Sequence, residues 1–328
     1  MLVSVVVPTF NEAENVEPLA REIIALFENE LRRHDLELIF IDNASSDGTR
    51  DALRALCAGD RRIKAIFNSK NVGPFNSQFY GLCQAGGDCA VSIFADFQEP
   101  PELIADFVRE WENGSRIVCG IKSSSQESRL MYLLRSVYYK LMRYMSDFEQ
   151  IEHFTGFGLY DRSFLDVMRG LDDAAPFLRG IVAELGSGRR DIVYRQRERR
   201  AGRSAFNLYR YYDAAMLGFT SYTKLGLRVA AFGGAAAGFL SAIALAGCAV
   251  VKLYHGEAVT LGLLPLLLAL FFFDAVILFF IGFLGEYVLH VNTKVTRRPL
   301  VLEEERINFG AGGGRVSAPD FIQGEDAV

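Results

Sequence analysis

The stretch Ile93-Phe94-Ala95-Asp96-Phe97-Gln98-Glu99-Pro100-Pro101-Glu102 decides the fold. An apolar run from Cys89 to Phe94 stops at an acid, an amide, a second acid and two prolines. A short apolar run bounded in this way predicts a buried strand. Pro100-Pro101 cannot continue a strand and suits a turn into a helix starting near Glu102. In an open α/β sheet, ligands bind beyond the carboxyl ends of the strands. Asp96 and Gln98 therefore offer two oxygen ligands to a hard divalent cation, Mg2+ or Mn2+. Substrate phosphates commonly complete the shell of such an ion. The stretch reads as a nucleotide-diphosphate site.

Four further strands are predicted around it. Leu2 to Val7 is a β-branched run whose turn is Pro8-Thr9-Phe10-Asn11-Glu12, with a helix following to about Arg33. Leu36 to Ile41 ends in Asp42-Asn43-Ala44-Ser45-Ser46-Asp47-Gly48-Thr49, and a helix runs from about Thr49 to Leu56. Ile63 to Phe67 precedes the turn Asn71-Val72-Gly73 and a helix to about Ala85, and Ile117 to Gly120 is the last strand. Strands alternating with helices imply an α/β, Rossmann-like architecture, a mostly parallel sheet flanked by helices. Polar groups then gather at three strand ends: Pro8, Asn11 and Glu12; Asp42 and Asp47; Asp96 and Gln98. Any one of these could simply cap a helix or a turn, and Asp47 before Gly48-Thr49 reads that way. Asp42, ending an apolar strand, reads as a ligand of a base or ribose.

Composition narrows the class. The chain has 328 residues, half of them hydrophobic and 23% charged, and its apolar excess lies after Lys224. A net charge of −5 excludes general nucleic-acid binding. Five cysteines (57, 83, 89, 119, 248) form no CxxC pair and no even framework, which fits buried free thiols in a reducing compartment. Four scattered histidines make no zinc pattern, and Leu2 to Val7 meets Pro8 too early for a signal peptide.

Val229 to Val251 is uncharged, and Ala258 to Gly285 is broken only by Asp274. Each is long enough to cross ~30 Å of hydrocarbon. The connector 252–257 makes them a hairpin. Lys224 and Arg228 on one side, and Lys294, Arg297 and Arg298 on the other, put both ends in the cytoplasm. An intramembrane acid usually faces protein, so Asp274 is expected to face Ser241 or a neighbouring subunit. Gly234-Ala-Ala-Ala-Gly238 permits close helix approach. Leu130 to Met145 and Phe206 to Tyr222 are apolar and aromatic; each reads either as a helix at a membrane interface or as a core helix. Gly310 to Gly314 reads as disordered.

VVVPTFNE, IDNASSDGT, NVG and ADFQEPP, followed by a membrane hairpin, resemble a family 2 glycosyltransferase of GT-A fold. The branch most similar contains dolichyl-phosphate mannose synthase and bacterial polyprenyl-phosphate glycosyltransferases, and the resemblance covers roughly residues 2 to 298. It implies a nucleotide diphosphate sugar bound across the first strands, a metal on its diphosphate, and inverting transfer to a lipid phosphate. By that resemblance Pro8, Asn11, Glu12, Asp42, Asn43 and Asp96 hold the nucleotide sugar, and Asp96 and Gln98 hold Mg2+ or Mn2+. Arg199-Arg200-Ala201-Gly202-Arg203-Ser204 resembles a segment that faces the phosphates. It assigns Arg199, Arg203 and Ser204 to the diphosphate or acceptor, together with Lys122, Arg129 and Arg135. A solvated basic face drawn to anionic lipid is the plainer reading of the same residues.

Three departures from the family pattern matter. Phe94 stands where a first aspartate of Asp-x-Asp-x-Gln is common. Asn43 replaces a second aspartate after Asp42. Gly156, in Thr155-Gly156-Phe157-Gly158-Leu159-Tyr160-Asp161-Arg162, stands where the family often carries an acid. A phosphate monoester is largely dianionic at neutral pH, with a second pKa near ~6. It needs no general base, so the loss need not abolish transfer. Asp161 is a fallback catalytic carboxylate, or else a turn residue or partner of Arg162.

The expected organisation is a catalytic domain over 1–205, with 130–145 as an interfacial helix, and an amphipathic helix over 206–225. Two spans follow within 226–290, at about 227–252 and 258–289, and then a partly disordered tail over 291–328. The expected function is transfer of a hexose, UDP-glucose being the first donor to test, to undecaprenyl phosphate at the cytoplasmic face of a bacterial inner membrane. Such an enzyme would serve cell-envelope glycan synthesis or modification, and a homo-oligomer, a tetramer among the options, is expected. Two alternatives are a non-catalytic nucleotide-sugar or lipid-binding scaffold and a processive polysaccharide synthase. The synthase usually carries Gln-x-x-Arg-Trp, whereas the single Trp111 sits in another context.

Overall fold

The computed structural model describes residues 1–123, 151–171, 176–198, 263–296 and 299–310, with scattered helical positions between 232 and 254. By internal contacts the chain divides into two units. The first contains an eight-stranded mixed sheet.

Its strands are β1 (Leu2–Thr9), β2 (Asp35–Asp42), β3 (Ile63–Asn68), β4 (Cys89–Ser92), β5 (Ile117–Lys122), β6 (Phe154–Asp161), β7 (Arg189–Tyr194) and β8 (Glu303–Ile307). Its helices are α1 (Val16–Asn29), α2 (Thr49–Gly59), α3 (Pro74–Gln84), α4 (Leu103–Glu112), α5 (Arg162–Gly170) and α6 (Leu178–Leu185). The strand order is β7-β5-β6-β4-β1-β2-β3-β8. Strands β4, β1, β2 and β3 run parallel, whereas β6 is antiparallel to both β4 and β5, and β8 is antiparallel to β3.

Both faces of the central strands are covered, which explains their continuous rather than alternating apolar runs. Val3, Val5 and Val7 face one way, against Leu19 and Ile23 of α1, Leu53 of α2 and Phe107 of α4. Val6, Ile39 and Ile41 face the other way, against Phe79 and Leu82 of α3, Leu165 of α5 and Ile181 of α6. Full burial of each such side chain contributes about 1.5–3 kcal/mol. Phe157 of β6 fills the first layer between Phe107 and Tyr194, with ring centroids 4.8 and 5.4 Å away.

Strand β4 stops two residues before the end of its apolar run. Ile93 N–H still reaches Val6 O at 3.0 Å, but Phe94 N–H donates to Glu99 Oε2 at 3.0 Å instead of to a strand. The tail, read from sequence as polar and partly disordered, contributes an edge strand. Arg54 of α2 reaches Glu305 Oε2 at 2.8 Å, and Asn308 Nδ2 reaches the carbonyls of Cys57 and Ile63 at 2.7 and 2.8 Å.

The second unit holds α7 (Leu263–Val295), a 33-residue helix. Leu266, Leu270, Phe271, Ile277, Leu278 and Ile281 on it are exposed. Over the described residues alone, no helix is long and apolar enough to cross a membrane. Asp274 is exposed on α7. Ser241, most of the span 229–251, and the helices expected at 130–145 and 206–225 lie outside the described residues.

Candidate active site

The carboxyl ends of β1, β2 and β4 lie side by side, because Thr9 pairs with Asp42 and Val6 with Ser92. Pro8 is the penultimate residue of β1, beside Ile41. Asn11 follows in the left-handed region (φ 55°) and is held from both sides. Its N–H donates to Ser45 Oγ and its Oδ1 accepts from Ser46 N–H, each at 2.9 Å. Glu12 N–H donates to Thr49 Oγ1 at 2.9 Å, and its carboxylate accepts from Asn15 Nδ2. Asp47 accepts from Ala13 N–H at 3.2 Å and from Thr49 N–H at 2.9 Å, so it ties the two loops together.

Asp42 is fully buried. Its Oδ2 accepts from Arg50 Nε at 2.8 Å and from Ser45 N–H at 3.2 Å, while Oδ1 is buried with no hydrogen-bond partner. Buried polar atoms are normally satisfied, so this oxygen is a natural acceptor for a ligand donor. Asn43 holds the next loop: its Nδ2 donates to Asn71 Oδ1, and its Oδ1 accepts from Val72 N–H, both at 2.9 Å. An aspartate in its place could not donate the first of these bonds.

Asp96 is 8% exposed, and its Oδ1 accepts from Gln98 N–H at 3.1 Å. The turn between them passes through Phe97, which is left-handed (φ 60°) yet buried. An aromatic residue in that region is strained, and strain of this kind concentrates at functional turns. Among the described residues no group of three or more His, Cys, Asp or Glu could hold a metal ion. The donors present are one carboxylate and one amide oxygen. They suit Mg2+ or Mn2+ in chemistry and leave most of the shell to phosphate oxygens and water.

Glu99 was not among the expected site residues, although its carboxyl lies in the motif itself. It is 3% exposed and bridges the loop to β6, accepting from Phe94 N–H at 3.0 Å and Thr155 Oγ1 at 2.8 Å. Burial pushes its carboxyl up to about 8; Asp96 adds to the effect, and the two hydrogen bonds and Lys122 oppose it. Lys122, at the end of β5, therefore joins this cluster.

Asp161 does not join it. It pairs with Cys89, at the opposite end of β4 from Asp96. There it caps α5 through Ser163 N–H at 2.9 Å and accepts from Trp111 Nε1 at 2.8 Å. These are the contacts of a turn and helix-cap residue, the other reading of Asp161. Gly156 has a φ of +100°, and a Cβ added there would stand 2.6 Å from Gln78 Nε2. Gln78 is buried and donates to Ser92 Oγ at 3.0 Å, so it occupies the space an acid would need. Arg129, Arg135, Arg199, Arg203 and Ser204 lie outside the described residues.

A helix-flanked sheet with polar groups gathered at its strand ends is an α/β enzyme architecture, and the sequence relatives supply its class. The sequence model of glycosyl transferase family 2 matches residues 4–169, and the chain belongs to that family. It is a glycosyltransferase with a GT-A-like fold. It is 32% identical over 301 residues to the SfII prophage-derived bactoprenol glucosyl transferase of Shigella flexneri, covering 91% of this chain and 96% of that one. It is 30% identical to the prophage bactoprenol glucosyl transferase homolog of Escherichia coli (strain K12), covering 91% and 97%. Among solved structures, glucosyl-3-phosphoglycerate synthase from Mycobacterium tuberculosis in complex with Mn2+, UDP and phosphoglyceric acid matches with a TM-score of 0.45 and 19% identity, covering 67% of this chain and 76% of that one.

Proposed function

We propose that the chain transfers a hexose, glucose from UDP-glucose in the first instance, to a polyprenyl phosphate at the cytoplasmic membrane face, with inversion. The observation that carries this reading is the relation to bactoprenol glucosyl transferases, which extends over 91% of the chain. That span reaches well beyond the catalytic sheet into the apolar region.

Asp42 and Asn43 bind the nucleoside, the free Asp42 Oδ1 accepting from a base or ribose donor. Pro8, Asn11 and Glu12 shape the opposite wall. Asp96 and Gln98 would hold a divalent metal, which would supply positive charge to the departing diphosphate. The acceptor phosphate needs no deprotonation, which accords with a Gly at 156. Its oxygen attacks the anomeric carbon as the bond to the diphosphate breaks. The protein's tasks are to orient the two phosphates and to neutralise the leaving group, with Lys122 beside the motif. Arg199, Arg203 and Ser204 are assigned to the acceptor by family resemblance alone. The membrane hairpin rests on the sequence alone, the apolar stretch 258–289 being assigned to its second span.

The test is transfer of radiolabelled sugar from several donors into butanol-extractable lipid. Wild type should label lipid, and Asp96→Ala should not while keeping its fold. Turnover by Asp96→Ala would sink the metal assignment, and an unlabelled lipid fraction with every donor would sink the function.

A further inference from the structure

Arg179, in the first turn of α6, has no pairing role within the described fold. Its Cζ stands 5.1 Å from the ring centroid of Phe75 and 5.0 Å from that of Phe177. The two rings hold the guanidinium by cation–π attraction. Its Nε is buried with no hydrogen-bond partner, and it pairs with no carboxylate among the described residues. Neighbouring arginines behave otherwise. Arg169 of α5, on the same face of the sheet, donates to the carbonyls of Cys83 and Ala85 at 2.9 and 2.6 Å.

The position is as informative as the missing partner. Phe75 is in the first turn of α3, directly after the Asn71–Gly73 loop that Asn43 holds. Gln78 follows Phe75 by three residues, on the same face of the helix, and meets Ser92 and Gly156. The guanidinium thus stands over the helix that floors the strand-end site. A planar fork of five donors matches phosphate oxygens, and flanking rings exclude the water that would otherwise satisfy it.

We propose that Arg179 is a phosphate-binding residue, clamped by Phe75 and Phe177 and completed by a phosphate group of a substrate. The proposal rests on the functional reading above for the identity of that substrate. Two sources share the chemistry: the diphosphate of the donor and the monoester of the lipid acceptor.

The full chain in detergent is compared with Arg179→Gln and Arg179→Lys. Loss of a charge-assisted bond should raise the KM of one substrate by about tenfold or more, with a smaller change in kcat. A donor contact raises the donor KM and weakens UDP binding together; an acceptor contact raises only the lipid KM. Arg179→Lys should recover part of the loss, and Arg179→Gln should melt only slightly lower than wild type, because two cation–π contacts are all it removes among the described residues. Unchanged KM values and UDP affinity in Arg179→Gln overturn the proposal. So does a lowered melting temperature with both KM values intact. If Arg179→Gln does not fold, Phe75→Leu carries the same comparison, a raised KM supporting the clamp and an unchanged one refuting it. If wild type labels no lipid, the functional reading falls separately. Thermal stabilisation by UDP, inorganic pyrophosphate or inorganic phosphate then decides Arg179 alone: stabilisation of wild type but not Arg179→Gln supports it, and equal response refutes it.

Discussion

Replacing Arg50 by methionine tests how the nucleotide subsite is held. Arg50 donates to Asp42 Oδ2 at 2.8 Å, to Asn68 O at 2.8 Å and to Glu304 Oε2 at 3.0 Å. The two acidic partners differ sharply: the Asp42 side chain is 0% exposed and that of Glu304 is 55%. Methionine fills the aliphatic volume but leaves Asp42 a buried carboxylate with only Ser45 N–H to stabilise it. Breaking a buried pair from one side costs about 3–5 kcal/mol, whereas an exposed pair contributes about 0–1 kcal/mol. Arg50→Met should therefore lower the melting temperature of the full chain by roughly 6–20 °C, taking about 2–4 °C per kcal/mol at this size. Glu304→Gln should lower it by about 4 °C or less. Asp42→Asn in the Arg50→Met background should restore part of the loss, since the uncompensated charge is gone. Thermal unfolding in detergent, with hydrogen exchange at Ser45 as a local check, reads all three. A loss below about 1 kcal/mol in Arg50→Met would refute the reasoning, because Asp42 would then not depend on its partner.

Asp161→Ala should cost about 1 kcal/mol as a lost helix cap and alter Trp111 emission while leaving both KM values unchanged. Burial alone would raise the Asp161 carboxyl, but Ser163, Trp111 and the backbone together hold it below its ordinary value. Its stabilisation is complete above pH ~4 and is lost as pH falls through the lowered pKa. Wild type and variant should thus converge in acid, with Trp111 fluorescence as the gauge. Gly156→Asp should destabilise by roughly 1–3 kcal/mol, from a positive φ and the collision with Gln78. Adding Gln78→Ala should relieve only the collision; an unshifted melting curve for Gly156→Asp would contradict this.

The parallel strands were legible because burial on both faces leaves a run of β-branched residues, as in Leu2 to Val7. The polar strand ends were legible for a complementary reason: Asp42 and Asp96 interrupt such runs abruptly. Strand β6 was not among the expected strands because Gly156 and Gly158 lower strand propensity; Gly158 is small because β5 packs against it, and Gly156 because Gln78 does. Strands β7 and β8 carry Arg-Arg-Asp and Glu-Glu-Glu-Arg, patterns that look solvated. They are strands because edges tolerate charge, and because Arg50 and Arg54 wait on the far side for β8. Arg50, Glu99, Gln78 and Arg179 were missed since their importance lies in partners far away in sequence. Only the motif position of Glu99 could have drawn notice.

Strand β8 also sets the order in which the molecule becomes complete. It joins β3, from which it is separated by more than two hundred residues of chain. At roughly 5–20 residues per second of synthesis, the outer edge of β3 stays open for roughly ten to fifty seconds. An open edge can recruit another strand during that interval. The same delay leaves Arg50 without Glu304 and Arg54 without Glu305. A chain stalled within residues 263–295 would carry Asp42, Asp96 and the parallel strands, yet lack the strand that closes the sheet. Completion of the catalytic unit is thereby timed to follow synthesis of the apolar helix.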